Sequence, residues 1–146
     1  MRKGLLGILV VMLMMLTACG PSQFGDYGYD DFPWIEHWDD VLVTGFNEGH
    51  TLVYHYNRDV FGNDCPGCVL INETLFAFGQ HNTEGIELKL INERTAQGNR
   101  PVAFRTQPQV FFVQEGVITY RVVGAGPILA MLEEIETGTF DWSLLE

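Results

Sequence analysis

The chain has 146 residues, 47% of them hydrophobic, and sets 19 Asp and Glu against 8 Lys and Arg, a formal charge of −11. That length supports one domain with a real core and not two. So acidic a body repels nucleic acid and anionic lipid headgroups, which excludes nucleic-acid functions and a basic membrane patch.

The first nineteen residues, "MRKGLLGILVVMLMMLTAC", open with Arg2 and Lys3 and continue as an uncharged apolar run of 13 residues, Gly4 to Leu16. This is the pattern of a signal peptide, too short for the roughly 20 residues that a membrane-spanning helix needs. The run ends in Leu16-Thr17-Ala18-Cys19, which resembles the lipobox of bacterial lipoproteins. The resemblance implies removal of residues 1–18, a diacylglycerol thioether on Cys19, and palmitate or a similar chain on the new amino group. Two or three acyl chains anchor stably where one is marginal. An ordinary secretory signal with an incidental cysteine is the alternative. The expected location is the extracytoplasmic side of a bacterial cell membrane, or the outer membrane in a cell that has two. Cleavage leaves 128 residues with six Lys and Arg against 19 Asp and Glu, a formal −13. It also leaves Cys65 and Cys68, an even pair in a compartment where thiols and disulfides exchange.

Residues 20–34, "GPSQFGDYGYDDFPW", are rich in Gly, Asp, Pro and aromatics and have no sustained period. They predict a flexible acidic tether over 19–34 that lifts a domain at 35–146 off the membrane. Asp26, Asp30, Asp31, Glu36, Asp39 and Asp40 lack nearby cations, and a solvated spacer explains them better than a metal or partner patch. Ile35, Trp38, Val41 and Leu42 then recur at helical spacing, predicting a helix over 35–45 that ends near Gly45. "HTLVYHYN", 50–57, is β-branched and aromatic and suits a buried strand. A loop with Asp59, Gly62, Asn63 and Asp64 leads into Cys65-Pro66-Gly67-Cys68. Beyond it Cys68, Ile71, Leu75 and Phe78 fall on one face of a helix that Gly79 can close. "GIELKLIN", 85–92, alternates as a strand, and "QVFFV", 109–113, pairs with "VITYRVV", 117–123, across a turn at Gln114, Glu115 and Gly116. A last helix runs from about Pro127 to Glu136, before Gly138.

Taken alone, the cysteine pair fits a structural staple, half a zinc site or a redox centre. A staple across so short a loop adds little stability. Zinc wants four ligands, and only His55 and an acidic residue could join the two cysteines. A redox centre suits the position. A cysteine at the first turn of a helix faces unpaired N–H groups and the positive end of the dipole, which lower its pKa from about 8.5. Cys65 is thus the expected nucleophile, and Cys68, one turn further in on the apolar face, the resolving thiol. Pro66 fixes the backbone where no N–H is needed. Asp64 opposes the dipole, because an adjacent carboxylate disfavours a second anion. His37, His50 and His81 are read as solvent-facing or loop residues, and Trp34, Trp38 and Trp142 as packing residues. This chemistry calls for no metal and no cofactor.

The pattern as a whole resembles the thioredoxin family, over about residues 35–137. Its most specific stretch is "TQPQVFFVQEGVITYRVVGAGPILAMLEEI", 106–135, with Gly116 eight residues after Pro108 and Gly124 eight further on. The resemblance implies an α/β thioredoxin-like fold, a central mixed sheet flanked by helices. It implies a cis proline at Pro108 and substrate binding by Thr106, Gln107 and Pro108 beside the Cys65–Cys68 centre. The function implied is membrane-anchored thiol-disulfide exchange on protein disulfides, by a monomer served by a redox partner. The chain departs from the family in four places: CPGC follows Asp64 in place of a tryptophan, the loop from Asn57 to Asp64 is longer, Tyr54 stands where a buried carboxylate is usual, and Gln107 precedes the proline. Copper-handling relatives use a longer cysteine spacing and a distal histidine that this chain lacks. A non-catalytic accessory lipoprotein with a structural or vestigial CxxC is the alternative.

Overall fold

The computed structural model describes residues 27–43, 49–100 and 107–146. The expected signal peptide, Cys19 and Thr106 lie outside the described residues. The elements in chain order are β1 (Thr51–Tyr56), α1 (Pro66–His81), β2 (Glu87–Asn92), β3 (Gln109–Gln114), β4 (Val117–Val123) and α2 (Ala125–Glu136). They build one mixed sheet in the order β2-β1-β3-β4. β1 and β2 run parallel, with Thr51 opposite Glu87 and Tyr56 opposite Asn92, because α1 carries the chain back across the sheet between them. β3 runs antiparallel to β1, with His55 opposite Gln109, and β4 runs antiparallel to β3. The β3–β4 turn holds Glu115 at φ 47° and Gly116 at φ 79°, the two positive values a type I′ hairpin requires.

Alternation along β1 divides the core. Leu52, Tyr54 and Tyr56 meet Cys68, Ile71, Leu75 and Phe78 of α1 and Ile128, Leu132 and Ile135 of α2. Both helices therefore cover one face of the sheet. Val53 joins Ile91, Phe111 and Val113 on the opposite face, under Ile35, Trp38 and Val41. With both faces covered, all six residues of β1 are buried.

The expected helix over 35–45 does not form in its described part. Residues 33–35 run along the outer edge of β2, where Ile35 N–H donates to the Leu90 carbonyl at 2.8 Å and Leu90 N–H to that of Pro33 at 2.9 Å, and residues 36–38 continue against Gln97. A 3-10 turn, Trp38–Asp40, follows. The reason lies in the spacing: Phe32, Ile35, Trp38 and Val41 are three apart, and a chain with three residues per turn buries such a stripe as readily as an α-helix, whereas an extended stretch sends residues three apart to opposite faces. Phe32 also packs on the helical side of the sheet while Ile35 and Trp38 pack on the other, which no single helix face could achieve. The segment also pairs the edge that β2 would otherwise leave open.

Two further expectations are corrected. Packing begins before residue 35: Tyr29 and Phe32 are 7% and 6% exposed within the main core, so residues 29–34 are not free tether. Gly79 does not close α1, which continues through it to His81. A Cβ there would lie 2.6 Å from Phe32 Cε1 and 2.7 Å from Leu88 Cδ2, so the glycine admits close approach of helix, sheet and N-terminal segment. Phe32→Ala is expected to destabilise the fold by about 3 kcal/mol in denaturant unfolding; a loss under about 0.5 kcal/mol would return this stretch to the status of a spacer.

Candidate redox site

Cys65 caps α1. Its backbone is extended, Pro66 occupies the first helical position, and the Cys65 Sγ accepts a hydrogen bond from Cys68 N–H at 3.1 Å. The two cysteines form a disulfide with their Cα atoms 5.0 Å apart. Cys65 is half-buried and Cys68 is fully buried, so an external sulfur can reach only the first of the pair.

Pro108 comes to this centre from 40 residues away. The Gln107–Pro108 peptide is cis and the proline is buried. Its ring sits against Gly67, where a Cβ would lie only 2.6 Å from Pro108 Cδ. The Pro108 carbonyl accepts from Gly124 N–H at 2.9 Å, which ties the start of β3 to the cap of α2. Gln107 is half-buried beside it. Thr106, the third residue of the expected loop, lies outside the described residues.

Asp64 is engaged by a network that the sequence did not disclose. Its carboxylate accepts from Tyr29 O–H at 2.8 Å and from Asn72 Nδ2 at 3.0 Å, and Arg58 Nε stands 3.9 Å away. Asn72 in turn accepts from Tyr54 O–H at 2.8 Å. Burial, aided by the bond to Asp64, raises the Tyr29 phenol, and burial likewise raises Tyr54, so both remain protonated donors. At Tyr54, where the family resemblance places a carboxylate, the chain therefore offers a neutral hydroxyl. The missed residues are Tyr29 and Asn72. The signal for Tyr29 was aromatic density, since residues 20–34 hold five aromatics, more than a solvated spacer needs.

His55, considered above as a partner for the cysteines, faces away from them. Its Nε2 bonds Glu93 Oε2 and its Nδ1 meets Gln109 Nε2, both at 2.8 Å, with the Trp38 ring edge-on at 5.1 Å. Among the described residues no three His, Cys, Asp or Glu gather as a metal site. The other histidines are less uniform than expected: His37 and His81 are exposed, whereas His50 is half-buried and stacks on Trp142 with ring centres 4.8 Å apart. Trp38 is a packing residue, while Trp34 remains 44% exposed.

Two expected outcomes follow from this geometry. Gly67→Ala forces the Pro108 ring to move and should cost about 1–3 kcal/mol of stability, measured by denaturant unfolding, while slowing thiol exchange; unchanged values would show the contact to be slack. The second concerns His55, whose imidazole burial holds below its ordinary 6.5, with the Glu93 bond pulling upward and Arg100 downward. The unfolded chain therefore binds this proton more readily. His55 contributes its stability above the unfolded value and loses it as pH falls toward the folded one. The denaturant midpoint should fall as the pH is taken below the ordinary histidine value of 6.5, and less so in His55→Gln; identical slopes would refute the assignment.

No family model matches the chain, and no curated protein matches it. Its similarities are to solved structures. It resembles a thioredoxin of Malassezia sympodialis with a TM-score of 0.57 at 16% identity, over 72% of this chain and 90% of that one. It resembles mitochondrial thioredoxin 3 of Saccharomyces cerevisiae with a TM-score of 0.57 at 12% identity, over 75% and 97% of the two chains. Fasciola hepatica thioredoxin gives 0.57 at 16% identity, over 75% and 100%. The cysteine pair at the start of α1, the proline against it and these likenesses lead to one conclusion: the chain has a thioredoxin-like fold.

Proposed function

We propose that the protein is a thiol-disulfide oxidoreductase acting on protein disulfides, anchored through Cys19 on the extracytoplasmic side of a bacterial membrane. The observation that carries the activity is the Cys65–Cys68 disulfide at the first turn of α1, accessible at Cys65, buried at Cys68 and backed by Pro108. The apolar run and Leu16-Thr17-Ala18-Cys19 support the anchor. Among the described residues no helix is long and apolar enough to cross a membrane.

In the reducing direction the Cys65 thiolate attacks one sulfur of a substrate disulfide, forming a mixed disulfide and expelling a substrate thiolate. The Cys68 thiolate then attacks Cys65 Sγ, the internal disulfide closes, and the second substrate thiolate leaves. Two electrons have passed to the substrate, each released thiolate takes up a proton, and a dithiol partner must restore the reduced pair. The oxidising direction reverses each step. The helix N-terminus assists both, since its N–H groups stabilise the Cys65 thiolate, which attacks in the reducing direction and departs in the oxidising one. Pro108, lying against Gly67 of the CxxC, is with its neighbours Gln107 and Thr106 the proposed contact for the substrate backbone.

The mechanism separates the two cysteines experimentally. Cys68→Ser should accumulate a mixed disulfide through Cys65, visible as a band on non-reducing gels that dithiothreitol removes. Cys65→Ser should abolish exchange with a disulfide-bridged peptide by about 10²-fold or more. If Cys65→Ser retains wild-type exchange, the pair is a staple and the catalytic reading is overturned.

A further inference from the structure

The loop that leads into Cys65 carries the two most exposed large hydrophobic side chains among the described residues, Val60 at 88% and Phe61 at 87%. Such exposure on a slack loop would mean little, but this loop is tightly built. The Asp59 carboxylate accepts from the N–H groups of Phe61 and Asn63, both at 2.9 Å, and from Asn63 Nδ2 at 3.0 Å. Asp59 N–H donates to the Asn63 carbonyl at 2.9 Å, and Gly62, at φ 84°, donates back to the Asp59 carbonyl at 3.1 Å. Arg58 pairs with Asp64 across the base, where Asn92 bonds the Arg58 N–H and carbonyl at 3.2 Å each. Cys65 N–H donates to the Asn57 carbonyl at 2.9 Å, which joins the base directly to the nucleophile. Val60 and Phe61 are thus presented on a preformed knuckle rather than left over from folding. On the other side of the CxxC, Val69 and Leu70 in the first turns of α1 are 62% and 70% exposed.

We infer that this knuckle, with Val69 and Leu70, is a docking surface for an extended apolar segment of a polypeptide that carries the substrate disulfide. The inference rests on the oxidoreductase reading above and names its substrate class: unfolded or partly folded chains whose cysteines lie among hydrophobic residues. Continuity with Cys65 favours this occupant, because the base of the knuckle is bonded to the Cys65 N–H through the Asn57 carbonyl, so a chain that delivers a sulfur to Cys65 has exposed apolar side chains within the same loop to rest on. Charge narrows it as well. A chain with 19 carboxylates repels anionic headgroups and acidic peptides alike, and at the loop base Arg58 stands by Asp64 while Arg94 bonds Asn57, so a neutral apolar peptide is the occupant that suits. A rigid knuckle loses little conformational freedom on binding, which makes a small apolar area effective.

The test compares the full chain with Val60→Ser/Phe61→Ser on three probes: a peptide disulfide flanked by Leu and Phe, the same peptide flanked by Ser and Gly, and hydroxyethyl disulfide. The wild type should favour the apolar peptide, and the double variant should lose about tenfold or more in kcat/KM on that probe alone. Both side chains are exposed, so the variant should match the wild type in thermal unfolding. An unchanged rate on the apolar peptide overturns the docking surface while leaving the oxidoreductase reading intact. An equal fall on all three probes also overturns it, since the knuckle would then only support Cys65. A wild type inactive on every probe overturns the oxidoreductase reading and this inference with it. In a Cys19→Ser background, loss of binding to phosphatidylcholine vesicles or of self-association, without loss of peptide turnover, would assign the knuckle to lipid or to a second copy instead.

Discussion

The contact between the Pro108 ring and the bare α-carbon of Gly67 governs how the rest of the chain is arranged. A side chain at Gly67 would collide with the ring at 2.6 Å, so only glycine allows the proline to lie against the first turn of α1. For Pro108 to arrive there, β3 must lie beside β1, because α1 starts where the chain leaves β1. The bond from Gly124 to the Pro108 carbonyl then places the cap of α2 at the same end of the sheet. Three chain segments thus converge on one cysteine pair, and Cys68 is buried in the same core that holds them.

The opposite face of the sheet is bound to this end through one residue. Gln109 follows Pro108 directly and spends its amide on His55, whose other nitrogen reaches Glu93. A buried imidazole with both nitrogens engaged is stable only while its partners hold position, since an unmet polar group in the core costs about 1–3 kcal/mol. The start of β3 is therefore pinned on both sides, by Gly67 on the helical face and by His55 on the other. The edge segment completes that second face: Trp38 stands against His55, and its N–H donates to the Gln97 carbonyl at 2.7 Å.

Much of this was legible in the sequence where a local period decides the outcome. Cys68, Ile71, Leu75 and Phe78 specify one face of α1, and all four are buried together. The apolar run of β3 and the Glu115-Gly116 turn were legible for the same reason. The proline's place against the CxxC was legible only through a family resemblance, because nothing local in residues 106–108 says what they touch. Residues 29–41 misled because a spacing of three is ambiguous between an α-helix and 3-10 turns joined by extended chain, and neighbours in space decided between them. Gly79 misled because a glycine that terminates a helix and one that lets another chain approach look alike. The pairs Tyr29–Asp64 and His55–Gln109 are separated by 35 and 54 residues; strand register brings the second together and packing of the N-terminal segment on the main core the first, and neither leaves a local sequence pattern.

The network at Asp64 changes how the charge beside Cys65 should be understood. A carboxylate next to a thiol at a helix start sets two effects against each other, the dipole favouring the sulfur anion and the neighbour disfavouring it. Here the carboxylate is bonded to Tyr29 and Asn72, with the Arg58 guanidinium nearby and 4.5 Å above the Tyr29 ring. Its charge is thereby spread over donors, and the dipole meets less opposition than adjacency alone would suggest. Tyr29 belongs to a segment that composition marks as a spacer, and it is the residue through which that segment reaches the redox centre. Its bond to Asp64 therefore makes residues 27–34 part of the electrostatic surroundings of Cys65.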